Sequence, residues 1–133
     1  MLENIRSVFT NGEEIAVTPT APELSASTAF KVLSSRRRRL MIRYLAEETS
    51  GEFVELRDVV DAMTAWEYGS GYTSDERKRV YVSVWQHHLG WLEDSGAILR
   101  VDEHEIASGP SLPAMYAIVE TAEDLCGGDG RDE

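Results

Sequence analysis

Arg79, Ser83, Gln86 and His87 stand at i, i+4, i+7 and i+8 of one polar stretch, "SDERKRVYVSVWQHHLGWLEDSGAI" (Ser74–Ile98). On a helix advancing about 100° per residue, these four share a side with Gly90, while Tyr81, Val84, Trp85, His88 and Leu92 share the other. The residue types suit nucleic acid. An arginine fork fits the guanine edge in the major groove, a glutamine amide fits adenine, and a serine or histidine reaches a phosphate or a base. Arg77 and Lys78 precede them at the helix start, where a phosphate would also meet unpaired backbone amides. Two bland alternatives stand beside this. The polar side is also what any solvated helix face looks like, and Asp75 and Glu76 make a salt-bridged terminus an equal explanation for Arg77 and Lys78.

The densest basic cluster, Arg36 to Arg39, spans every side of one helical turn, so the four cannot grip a single ligand. Arg37 and Arg38 are expected to brace the domain, and Arg36 and Arg39 to contact phosphate. A metal site is not expected. His87 and His88 are adjacent and point apart on a helix, and His104 and Cys126 supply neither a Cys-x-x-Cys nor a His-x-x-x-His pair. His88 falls on the apolar side and reads as a core or edge residue. No Gly-rich phosphate loop, nucleophile–base phrase or paired-carboxylate signature is present, so neither catalysis nor a cofactor is expected.

The elements that must position these residues follow from caps and periodicity. A first helix is predicted over 28–48, in two pieces, with Ser34 or Ser35 capping the second. Met41, Tyr44 and Leu45, with Leu40 or Ile42, form its buried stripe, and Gly51 is the expected stop. A short extended stretch, "FVEL", leads into an amphipathic helix buried through Leu56, Val59, Val60, Met63 and Trp66. The third helix is capped by Ser74 and runs to about Asp94. "AILRV" (97–101) reads as a strand, "DEHEIASGPSLP" as a polar loop, and "AMYAIVE" (114–120) as a second strand. Trp91 sits at the flank of the apolar stripe, a place for a partner-facing aromatic.

At 133 residues the chain has the length of one domain, and its 42% hydrophobic content supports a packed core. Its longest apolar runs are too short to span a membrane, the start does not read as a secretory signal, and a single Cys126 excludes an intrachain disulfide framework. A cytoplasmic protein is expected. The net charge of −11 divides unevenly: −3 over residues 1–29, zero over 30–101, and −8 over 102–133. Acidity normally disfavours phosphate backbones. Yet only Lys31 and Lys78 are lysine among the 13 basic residues, and an acidic, lysine-poor surface is the pattern of proteomes adapted to molar salt. There the Debye length is about 3 Å, so net charge hardly repels DNA beyond contact.

Three helices closed by a two-stranded hairpin wing is the layout of a winged helix-turn-helix, an α+β, mostly-α fold. "VLSSRRRRLMIRYL" resembles the first-helix phrase of metal-sensor-type bacterial and archaeal repressors. "HHLGWLEDSGAI" resembles the end of their recognition helix and the start of the wing. More closely, "LSSRRRRLMIRYL", "AWEYG" and "RKRVYVSVWQHHLGWLEDSGAI" are similar to a winged-helix domain of salt-loving archaea whose function is unassigned. The resemblance covers about Phe30 to Glu120. It departs at Gly90, where a proline is expected, and in the acidic wing.

These features imply a flexible or loosely docked arm over 1–27, a winged-helix domain over 28–120 and an acidic, disordered tail over 121–133. The expected function is a homodimeric transcriptional regulator that binds double-stranded DNA through Arg77, Lys78, Arg79, Ser83, Gln86, His87, Arg36 and Arg39. The alternative is a protein–protein adaptor without DNA binding, using the acidic wing or tail. Asp102, Glu103 and Glu105 fit that alternative better, because a DNA-inserting wing offers cations.

Overall fold

The computed structural model describes residues 24–49 and 53–127. Most of the expected arm, the helix stop at Gly51 and the last residues of the tail lie outside them. Helix α1 (Ala26–Leu33) begins where Ser25 accepts the Thr28 N–H, and α2 (Arg36–Glu48) where Ser35 accepts the Arg38 N–H. The first helix therefore comes in the two pieces expected, with Ser35 as the inner cap and a start at Ala26 rather than 28. Ala26 and Ser27 belong to α1, not to an arm, and Leu24 packs on the core.

Strand β1 (Val54–Glu55) leads into α3 (Leu56–Tyr68), which ends at Gly69 with a positive φ of 89°. Helix α4 (Ser74–Ser83) is capped by Thr73, one residue before the expected Ser74. Thr73 accepts the Glu76 N–H, and the Glu76 carboxylate accepts the Thr73 N–H, closing a capping box. A π-helical turn (Val84–His88) and α5 (Leu89–Asp94) continue the rod to Asp94.

The end of the chain differs from expectation. Residues 114–120 are not a strand but the body of α6 (Leu112–Cys126), so the segment assigned to a tail begins as the last turns of this helix. The strand reading followed the apolar run Ala-Met-Tyr-Ala-Ile-Val. The wider spacing of Leu112, Met115 and Val119, all buried, is that of a helix face, and Pro113 sits in its first turn. The partner of β2 (Ile98–Arg100) is β3 (Glu105–Ser108), inside the stretch read as a loop. The sheet has three antiparallel strands in the order β1-β3-β2, not the two of a simple hairpin. Register is set by Ile98 opposite Ser108, Arg100 opposite Ile106, and Val54 opposite Ile106.

The described residues are thus mostly helical with one small antiparallel sheet. Met41, Ile42 and Leu45 of α2, Val59, Val60 and Met63 of α3, Val80, Val84, Leu89 and Leu92 of the rod, Ile98 and Ile106 of the sheet, and Met115 of α6 form one core. Trp66, expected in that core, is exposed at its edge and meets Tyr44 edge-on at 6.4 Å. Ion pairs tie the helices together. Arg37 holds Glu67 of α3 in a two-pronged contact at 2.7 and 2.9 Å, and Arg43 bridges Glu47 and Glu123 of α6.

The turns around the sheet allow no side chain at one glycine. A Cβ on Gly109 would lie 2.2 Å from the Gly96 carbonyl oxygen, because Gly109 N–H donates to Ala97 O at 2.9 Å and Ser111 N–H to Gly96 O at 2.8 Å. Gly90, in α5, meets nothing within 4 Å. Gly109→Ala is therefore expected to cost roughly 3 kcal/mol or more, whereas Gly90→Ala should gain up to about 1 kcal/mol from helix propensity. Urea unfolding of the two variants checks these opposite signs.

Candidate functional site

The site is built by fixing one side of the α4–α5 rod inward. At its start, Arg77 pairs with Asp61 of α3, which also accepts from the Tyr72 hydroxyl at 3.4 Å. Arg77 is thereby committed to joining α3 and α4. In the middle, the π-helical turn widens the backbone so that Leu89 N–H bonds Val84 O, five residues back, and both His88 and Leu89 are buried. Tyr81 and Trp85 are half-buried against the core and meet at 6.4 Å, and Arg100 lies 5.1 Å over the Trp85 ring.

The inward side is held by Arg38. Its Nε donates to Val32 O at 2.6 Å and its Nη2 to Lys31 O at 3.1 Å, which satisfies carbonyls at the end of α1. Its Nη1 lies 3.3 Å from Nδ1 of His88. Guanidinium can only donate, so Nδ1 accepts and the ring proton sits on Nε2. Trp91 covers the guanidinium at 5.2 Å and also takes Lys31 at 5.9 Å. This aromatic, read as a partner anchor from its place on the helix, is 43% exposed while one face of its ring meets these two cations. The His88 pKa is lowered to about 4, first by burial and then by the neighbouring Arg38 charge.

With that side fixed, Lys78, Arg79, Gln86 and His87 are exposed, and Ser83 is half-buried between them. Together with Asp75 and Val82 they line a shallow depression of about 460 Å³. Gln86 and His87 also line a second one of about 500 Å³, with Arg38, Gly90, Trp91 and Asp94. The two depressions share residues, so the face is continuous along the rod.

Val82 is an addition that the side-by-side reading missed. It is 37% exposed between Arg79 and Gln86, an apolar group on a polar face. Of the α2 arginines, Arg38 lines the second depression, whereas Arg36 and Arg39, expected to contact phosphate, line neither: Arg39 donates to Leu33 O at 2.6 Å, and Arg36 is half-buried at the start of α2. The connection from β2 to β3 is a tight turn in which Asp102 accepts the N–H groups of His104 and Glu105. Among the described residues, no group of three or more His, Cys, Asp or Glu side chains is arranged to hold a metal.

Residues 30–107 match a family model described as a domain of unknown function (DUF7344), more than half of the 133-residue chain, and the protein belongs to that family. No curated protein and no solved structure matches the chain.

The depressed His88 pKa has a definite sign for stability. Between its ordinary 6.5 and about 4, the unfolded chain takes up a proton that the folded ring refuses. The contribution is complete above about 6.5 and is lost as pH falls through the window towards 4. It amounts to on the order of 2 kcal/mol after discounting for the ring edge that water reaches. His88→Gln keeps an acceptor for Arg38 without titrating. Urea midpoints of the two proteins should therefore converge as pH falls from 6.5 to 4, and a constant difference would contradict the assignment.

Proposed function

We propose that this member of the family is a DNA-binding transcriptional regulator with a winged helix-turn-helix architecture. In this reading, α3, the turn at Gly69–Thr73 and α4 form the helix-turn-helix, β2 and β3 form the wing, and β1 pairs onto the wing from the other side. Lys78, Arg79, Val82, Ser83, Gln86 and His87 lie in the major groove. Arg79 takes a guanine edge, Gln86 an adenine edge, and Val82 packs on a thymine methyl. Lys78 and His87 approach phosphates, and the protein carries out no chemistry of its own. It works as a homodimer because operator half-sites repeat with the helical turn. The setting is the cytoplasm of a salt-loving archaeon, where molar salt shortens the reach of the chain's net charge of −11.

The observation that carries the reading is the exposed face from Lys78 to His87 on a rod whose other side is buried through Val80, Val84, His88, Leu89 and Leu92. Two features narrow it. Arg77 is tied to Asp61, so it supports α4 rather than DNA. Asp102 and Glu103 are exposed at the wing tip, so the wing stays outside the minor groove. None of the helices among the described residues is long and apolar enough to cross a membrane.

The test is fluorescence anisotropy with random duplex pools in molar potassium chloride. Arg79→Ala combined with Gln86→Ala should weaken binding at least tenfold, at about 1–3 kcal/mol per lost base contact, with Tm unchanged because both side chains are exposed. Lys78→Ala should reduce the slope of log K against log salt by about 1. Unchanged affinity in the double variant would move the site, and no duplex affinity at any salt would end the DNA reading.

A further inference from the structure

The sheet has a second side that the DNA reading does not use. Leu99 sits opposite Ala107, which places both on the face turned away from Ile98 and Ile106. Leu99 is 52% exposed, Val101 is 42% exposed two residues along the same side, and Phe53, just before β1, is 64% exposed. Ala107 itself is buried, whereas Leu99, Val101 and Phe53 on this side face solvent rather than a core.

The rim of this patch is acidic, and one pair within it is costly. Glu55 and Glu105 are directly opposite each other across β1 and β3. Like charges so placed oppose strand pairing. Arg57 reaches Glu55 at 2.8 Å but is mostly exposed, so it offsets little. Both glutamates line a hollow of about 370 Å³, with Leu56, Arg57, Tyr81, Asp102 and His104. A local conflict kept next to an exposed apolar row marks a surface shaped for something other than its own fold.

We propose that the outer sheet face is a docking site for a segment of a different protein that carries apolar side chains flanked by lysine or arginine. A basic side chain enters the acidic hollow and relieves the Glu55–Glu105 repulsion, while the apolar ones cover Leu99, Val101 and Phe53. Charge decides the occupant. A second copy of this chain would bring the same acidic rim against itself, and a phosphate backbone would meet Glu55, Asp102, Glu103 and Glu105. The proposal does not depend on DNA binding, because no residue of this face lines the two depressions along the α4–α5 rod.

The probe is a short labelled peptide of alternating lysine and leucine, titrated into the full chain in molar potassium chloride, with an alternating glutamate–leucine peptide as control. Saturable binding of the basic peptide alone is expected, with amide shifts confined to 53–57 and 98–107. Leu99→Ser and Glu105→Gln should each weaken it at least fivefold. Glu105→Gln should leave Tm unchanged or higher, because it removes a like-charge pair, so a loss of binding cannot be assigned to misfolding. Asp124→Asn, on α6, controls for net charge. Four results would overturn the proposal: equal weakening by Asp124→Asn, no effect of Leu99→Ser, shifts centred on α4, or a concentration-dependent dimer that Leu99→Ser abolishes.

Discussion

A buried guanidinium with no carboxylate partner among the described residues is the constraint on which the rest of the molecule turns. Arg38 is only 8% exposed, and its partners are two carbonyls at the end of α1 and the imidazole of His88, under the Trp91 ring. Withdrawing a cation from water costs several kcal/mol unless its donors are all used. Neutral acceptors supply less than a carboxylate would, which is why burial holds the Arg38 pKa below its ordinary value. The arrangement is stable only if α1, α2 and the π-helical turn stay where the three acceptors converge. One side chain therefore sets both the break between α1 and α2 and the rotation of the α4–α5 rod.

That rotation divides the charges. Arginines that look free in the sequence are engaged in holding the fold: Arg37 on Glu67, Arg43 on Glu47 and Glu123, Arg77 on Asp61, and Arg100 on Glu93. Lys78 and Arg79 remain on the exposed face of α4, beside Ser83, Gln86 and His87. The sheet carries the opposite character, with Glu55, Asp102, Glu103 and Glu105 around an apolar row. The two surfaces differ in composition, which is how a chain with a net charge of −11 can still place Lys78 and Arg79 side by side on one helix face.

Much of this was legible in the residues. Ser35 and the Thr-Ser-Asp-Glu phrase at 73–76 announce helix starts, although the second was displaced by one because two adjacent hydroxyl residues both suit a cap. The apolar spacing of α3 gave its buried face apart from Trp66, a large ring at the end of the helix where the core thins. The outward face of α4 also followed from angular stepping alone. What escaped was set by tertiary contacts. β3 holds only Ile106 and Ala107 as apolar residues, too few for a period, and it exists because β1 and β2 pair on either side. α6 was hidden by an apolar run whose helical period appears only when Leu112 and Met115 are read together. The π-helical turn has no signal in residue type, since it follows from drawing His88 to Arg38.

The most direct measurement is the nitrogen-15 resonance pair of the His88 imidazole at pH 5.5. A neutral ring with its proton on Nε2, and Nδ1 shifted by hydrogen bonding to Arg38, is the expected result. An imidazolium at that pH, or a proton on Nδ1, would contradict the brace and remove the reason for the α4 face to point outward.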